Sequence, residues 1–166
     1  MILGMSIATY TLVHVAISLI GIFSGFIVLL GLLAAKRLDG WTVVFLTTTV
    51  LTSVTGFGFP FTHLLPSHKL AIISLAVLTI AILARYAFHM KGAWRSTYVV
   101  TAMIAFYLNV FVLVVQSFEK VPALKALAPT QSERPFVVAQ LVVLTAFVLL
   151  IILAVRKFSH GQQSAA

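Results

Sequence analysis

Residues 1–35 contain no Asp, Glu, Lys or Arg, and four further stretches, 41–61, 70–84, 97–118 and 136–155, are equally free of charge. In hydrocarbon no water is available to bond exposed backbone N–H and C=O groups. A run of about 18 or more apolar residues therefore reads as a helix that crosses the membrane and satisfies its own backbone. The pattern predicts an all-α fold: a polytopic integral membrane helical bundle of about five transmembrane helices. The chain is 61% hydrophobic and only 8% charged, whereas soluble domains carry about one quarter charged residues, so a soluble fold is excluded.

The expected spans are 6–35, 41–61, 70–90, 97–118 and 136–155, forming one bundle domain over 1–158. The longest segment between spans, 119–134, is too short to bury a core of its own. Within it, 123–128 is expected to form a short interfacial helix opened by Pro122 and stopped by Pro129. The polar tail, 159–166, is expected to be disordered and cytoplasmic. The N-terminus lacks the basic region and short apolar core of a cleavable signal peptide, so the first span is expected to be retained.

Basic residues orient the bundle. Lys36, Arg37, Arg85, Lys91, Arg95, Arg156 and Lys157 fall on one side; Lys69, Lys120, Lys125 and Arg134 fall on the other, together with Glu119 and Glu133. The richer side should be cytoplasmic. That places the N-terminus outside and the C-terminus inside, in what reads as a bacterial inner (plasma) membrane. Trp41, Tyr86, Trp94 and Tyr98 are expected at the inner interface; Phe57, Phe59 and Phe61 at the outer one. The net charge of +8 is accounted for by span ends and lipid headgroups, and no basic patch with interleaved aromatics suggests nucleic acid. With no cysteine, disulfides, thiolate metal sites and iron–sulfur clusters are absent.

Gly21 and Gly25 form a GxxxG pair, which brings helices close either within the chain or in a homo-oligomer. Thr48, Thr52 and Thr55 stand at helical spacing and read as packing residues. The glycines and proline of residues 56–61 should break the second helix at membrane depth. Ser67 is the expected N-cap of the third span.

Polar side chains able to bind something gather at the outer end. His14 sits near that boundary with Tyr10 one turn away, and His63 and His68 follow the second span in a loop. Imidazoles can hold a b-type haem from both faces, and His14 with His63 or His68 could do so, with Lys69 near a propionate. Alternatively His14, His63 and His68, with Glu119, could hold zinc or copper; the chain could equally bind no cofactor. Asn109 and Gln116 share a helix face and could contact a quinone, although packing inside the bundle is the simpler role for Asn109. Arg85 and His89, spaced i, i+4, are expected to share a face as a snorkelling basic anchor. No acid lies within a span, which disfavours a carboxylate-driven pump, and no Ser-His-Asp set, HExxH motif or P-loop is present.

In outline the chain resembles small bacterial inner-membrane proteins, and the placement of its histidines near helix ends resembles that in membrane b-type cytochromes. The resemblance implies a small haem- or metal-binding protein passing electrons between a quinone and an outer partner. Two other readings stay open: a non-catalytic subunit or assembly factor of a larger membrane complex, and a passive carrier lined by Thr48, Thr52, Asn109 and Gln140.

Overall fold

A computed structural model describes residues 2, 4–60 and 66–163, with side chains up to Phe158. The described residues are overwhelmingly helical: α1 (Ile7–Leu33), α2 (Asp39–Gly56), α3 (Pro66–Ile82), α4 (Ala93–Lys120), α5 (Pro122–Leu127) and α6 (Arg134–Gln163), with a π-helical turn, Leu83–Ala87, continuing α3. Four helical stretches are long and apolar enough to cross a membrane: Ile7–Leu33, Pro66–Ala87, Ala93–Lys120 and Arg134–Phe158. This is consistent with an integral membrane protein. The expected second span is helical as α2 but is not one of the four. Thr42, Thr47, Thr48, Thr49, Thr52, Thr55 and Asp39 lower its apolar character.

Local chemistry sets the helix ends. Ser6 caps α1 by accepting the Thr9 amide. The chain then turns back at Ala35 and Leu38, both at positive φ, and Asp39 opens α2, where its charge complements the helix dipole. The hydroxyls along α2 solve the polar-group problem locally. Thr48 donates to the Val44 carbonyl and Thr55 to the Leu51 carbonyl, each at 2.7 Å, and Ser53 donates to Thr49. These are the packing roles expected for Thr48 and Thr55. Pro66 opens α3, a position where its missing N–H costs nothing. The helix thus begins four residues before the expected Leu70, and Ser67 lies inside its first turn rather than at the N-cap. As expected, Pro122 opens a short helix. The last helix runs on to Gln163, into the segment read from sequence as a tail.

α1 and α2 are antiparallel: Gly31 meets Leu38, Gly21 meets Thr48 and Thr49, and His14 meets Thr55. α4 is the hub, packing on α1, α2, α3 and α6. At its centre Phe106, fully buried, touches Phe26, Phe45 and Phe147 edge-on, with ring centroids 4.9, 5.9 and 5.1 Å away. The fourth wall is Gly25, where an added Cβ would lie 2.6 Å from the Phe106 ring. Of the two uses expected for the GxxxG pair, the structure shows the one inside the chain: Gly21 and Gly25 are buried against α2 and α4. Of the four membrane-length helices α6 is the least buried, with Leu141, Val142 and Leu149 exposed.

Overpacking a close-packed core costs about 1–3 kcal/mol. Gly25→Leu is expected to lower the thermal midpoint of the detergent-solubilised protein, and Phe106→Ala in the same chain to restore part of the loss. An unchanged midpoint in Gly25→Leu would show that the notch is not needed.

Candidate functional site

Two polar centres lie at opposite ends of the bundle. At the first, α1 brings Tyr10 and His14 against the end of α2. The buried Tyr10 donates its hydroxyl at 2.7 Å to the Thr55 carbonyl, which also accepts the Gly58 amide at the end of the helix. His14, half-buried, places Nδ1 at 2.7 Å from the Thr55 hydroxyl. The chain then turns through Phe57, Gly58 and Phe59. A Cβ at Gly58 would collide with the Tyr10 hydroxyl, so a larger residue there would displace Tyr10 from the Thr55 carbonyl. Phe59 meets Tyr10 and His14 edge-on at 5.1 and 5.3 Å. On the other side of Gly58, Phe57 stacks on His68 at 5.4 Å with the rings 15° apart.

His68 departs from the sequence reading. It belongs to the first turn of α3 rather than to a loop, and it is only 2% exposed. The early helix start at Pro66 causes this, since it swings the third helical residue inward onto the turn. The structure thus brings His14 and His68, from two helices, onto the two sides of one three-residue turn. His63 lies outside the described residues. Among the described residues no three His, Cys, Asp or Glu side chains gather as a metal-binding group. Glu119 instead pairs with Lys120 at 2.9 Å on an exposed surface, beside a shallow hollow shared with Lys125 and Gln131.

The amide pair separates too. Asn109 is buried and donates to the Thr49 hydroxyl at 3.2 Å, in the seam of α1, α2 and α4. Gln116, expected on the same face, is exposed. Gln140 donates to the Phe111 carbonyl, tying α6 to α4. Asn109 and Gln140 are thus engaged between helices, and Thr48 within its own.

The second centre was not legible as a site. Arg85 is 3% exposed and forms an ion pair with Asp39, whose side chain is 70% exposed. Arg37 approaches the same carboxylate oxygen at 3.6 Å. The guanidinium also lies over the Tyr98 ring at 5.0 Å and near Met90 Sδ at 3.8 Å. The expected snorkelling Arg85/His89 face is corrected: the π turn breaks the i, i+4 register, the Met90 amide closes onto the Ala84 carbonyl, and His89 ends exposed at positive φ. Tyr98, expected at the interface, is fully buried over Arg85, while Trp41, Tyr86 and Trp94 are exposed. The available signal was that Asp39 is the chain's single aspartate and shares its side with Arg85.

The pair is asymmetric, so its two single variants should differ. Asp39→Asn leaves a buried guanidinium without its counter-charge. Its loss of stability is expected to approach, without reaching, the about 3–5 kcal/mol of a fully buried pair. Arg85→Met leaves only a solvated carboxylate and should cost less, and the double variant should match Arg85→Met. Denaturation in detergent reads all three; equal losses for the two single variants would contradict the asymmetry.

Comparison of the chain with protein-family models, with curated proteins and with solved structures finds no match.

Proposed function

We propose that this chain is a small electron-carrying protein of a bacterial inner membrane, with a b-type haem held between His14 and His68 at the outer end. The carrying observation is that these two imidazoles, on α1 and α3, converge on the same Phe57–Gly58–Phe59 turn. A membrane haem would need a ligand from each of two helices, and His14 and His68 would supply them, leaving the group to one-electron chemistry rather than substrate binding. That favours electron exchange over catalysis, with a quinone on one side and an outer partner on the other. Bound haem supplies one-electron chemistry. The chain supplies two anchored imidazoles, a low-dielectric wall of phenylalanines, and Lys69, exposed next to His68, for a propionate. Phe57 and Phe59 lie against the imidazoles in this structure, so haem binding would require these rings to move aside.

In this reading the bundle crosses the membrane five times, with α2 as the extra span, the N-terminus outside and the C-terminus inside. The support for α2 is its length of 18 residues and its antiparallel course along α1, from Leu38 beside Gly31 to Gly58 beside Tyr10. At about 1.5 Å per residue it rises about 27 Å, close to the hydrocarbon thickness.

The reading is tested by an oxidised-minus-reduced visible spectrum of the protein in mild detergent, with metal analysis of the same sample. A Soret band with sharp reduced bands is expected, and His14→Ala or His68→Ala should each abolish or at least halve it while the helical signal persists. A colourless protein with stoichiometric zinc or copper would replace haem with a metal site that includes His63. A colourless, metal-free protein would overturn the proposal and leave a non-catalytic membrane subunit.

Topology is tested separately. A fluorescent-protein fusion at the C-terminus should be bright, and an alkaline phosphatase fusion in the segment 61–65 should be active. The opposite pattern would reverse the orientation.

A further inference from the structure

We infer that Thr55 fixes the tautomer of His14, holding the proton on Nδ1 and presenting Nε2 with its lone pair. The argument is a count of hydrogens. The Thr55 hydroxyl has one proton and two short oxygen or nitrogen neighbours: the Leu51 carbonyl at 2.7 Å and His14 Nδ1 at 2.7 Å. The carbonyl can only accept. If the hydroxyl donated to His14, two oxygens would face each other at 2.7 Å with no proton between them, a repulsive contact. If it donates to Leu51, the repulsion vanishes, and His14 satisfies the second contact by carrying its proton on Nδ1. The pattern of the other hydroxyls agrees: Thr11, Ser18, Thr48 and Ser117 each donate to the carbonyl four residues earlier.

The ring is fixed in orientation as well. Phe59 packs edge-on against it at an interplanar angle of 89°. Phe59 is itself held by Tyr10, whose hydroxyl bonds the Thr55 carbonyl. Thr55 therefore anchors the cluster twice, through its carbonyl to Tyr10 and through its hydroxyl to His14. A neutral imidazole with Nδ1–H bonded to an oxygen is the arrangement that readies Nε2 as a ligand, and partners of this kind orient metal-bound histidines. The use of Nε2 as an iron ligand rests on the haem reading above; the tautomer does not. Thr55 is thus a positioning residue: it touches no cofactor and acts through His14.

The test uses the full chain in lipid nanodiscs, labelled with ¹⁵N-histidine, free of haem, at a pH where imidazole is neutral. Long-range ¹H–¹⁵N correlations distinguish the tautomers, and His14→Gln identifies the His14 signals among the chain's five histidines. The wild type is expected to show Nδ1–H at His14, and Thr55→Ser, which keeps the hydroxyl, to show the same. Thr55→Val keeps the shape and removes the acceptor, so the signal should move toward Nε2–H. Nε2–H in the wild type, or an unchanged signal in Thr55→Val, overturns the inference. Haem titration of the same samples separates the two proposals. Loss of the oriented partner should weaken binding about 10- to 100-fold in Thr55→Val, with Thr55→Ser close to wild type. A wild type that shows Nδ1–H but takes up no haem overturns the haem reading and leaves the tautomer assignment standing.

Discussion

The bundle depends on the close approach of Gly25 to Phe106. In lipid an apolar side chain gains nothing by leaving its surroundings for a protein interior, so helices associate through contact and through hydrogen bonds between them. Contact requires a surface with relief. Gly25 supplies the hollow and Phe106 fills it, and the same ring then meets Phe26, Phe45 and Phe147. Four helices are located by one side chain. The bond from Asn109 to Thr49 sits one turn away on α4 and adds direction to what is otherwise a contact of shapes.

The two polar ends solve the cost of burial in different ways. At one end a permanent charge is buried. The Arg85 guanidinium is buried, so the structure must provide a counter-charge and a polarisable lining. It does so with Asp39, the Tyr98 ring and Met90, and the π turn and the left-handed residues after it are the backbone distortion that accompanies this. At the other end the buried groups are imidazoles, which can be neutral. There the Thr55 hydroxyl and Phe59 meet His14, and Phe57 stacks on His68. An end that holds a fixed charge is locked. The other end is built from ring contacts to the Phe57–Gly58–Phe59 turn.

Much of the architecture was legible because charge-free length and basic punctuation are direct consequences of lipid as a solvent. All four stretches that meet the criterion for a membrane helix were visible in the sequence, as was the short helix after Pro122. The roles of Gly21 and Gly25 were legible only as alternatives, since a GxxxG pair looks the same whether its partner is another helix of the chain or another copy. The polar partners were not legible. Arg85 and Asp39 are 46 residues apart in the chain, and nothing local to either announces the other. The same holds for His14 and Thr55, 41 apart. His68 was misread for a local reason: Pro66 could end a loop or begin a helix, and its fixed φ serves both. Register failed at Arg85 and His89 because i, i+4 arithmetic assumes an α-helix, and the π turn adds a residue.

Thr55 links these levels. As one of six threonines in α2 it lowers the apolar character that would mark the helix as a span. As a helix residue it returns its hydroxyl proton to Leu51 and so needs no outside donor. That same donation obliges the His14 contact to be made with an imidazole N–H. A feature that weakens the membrane signal of α2 is therefore what gives its end a defined chemistry. A valine at this position would make a better membrane helix and leave His14 free to choose either nitrogen.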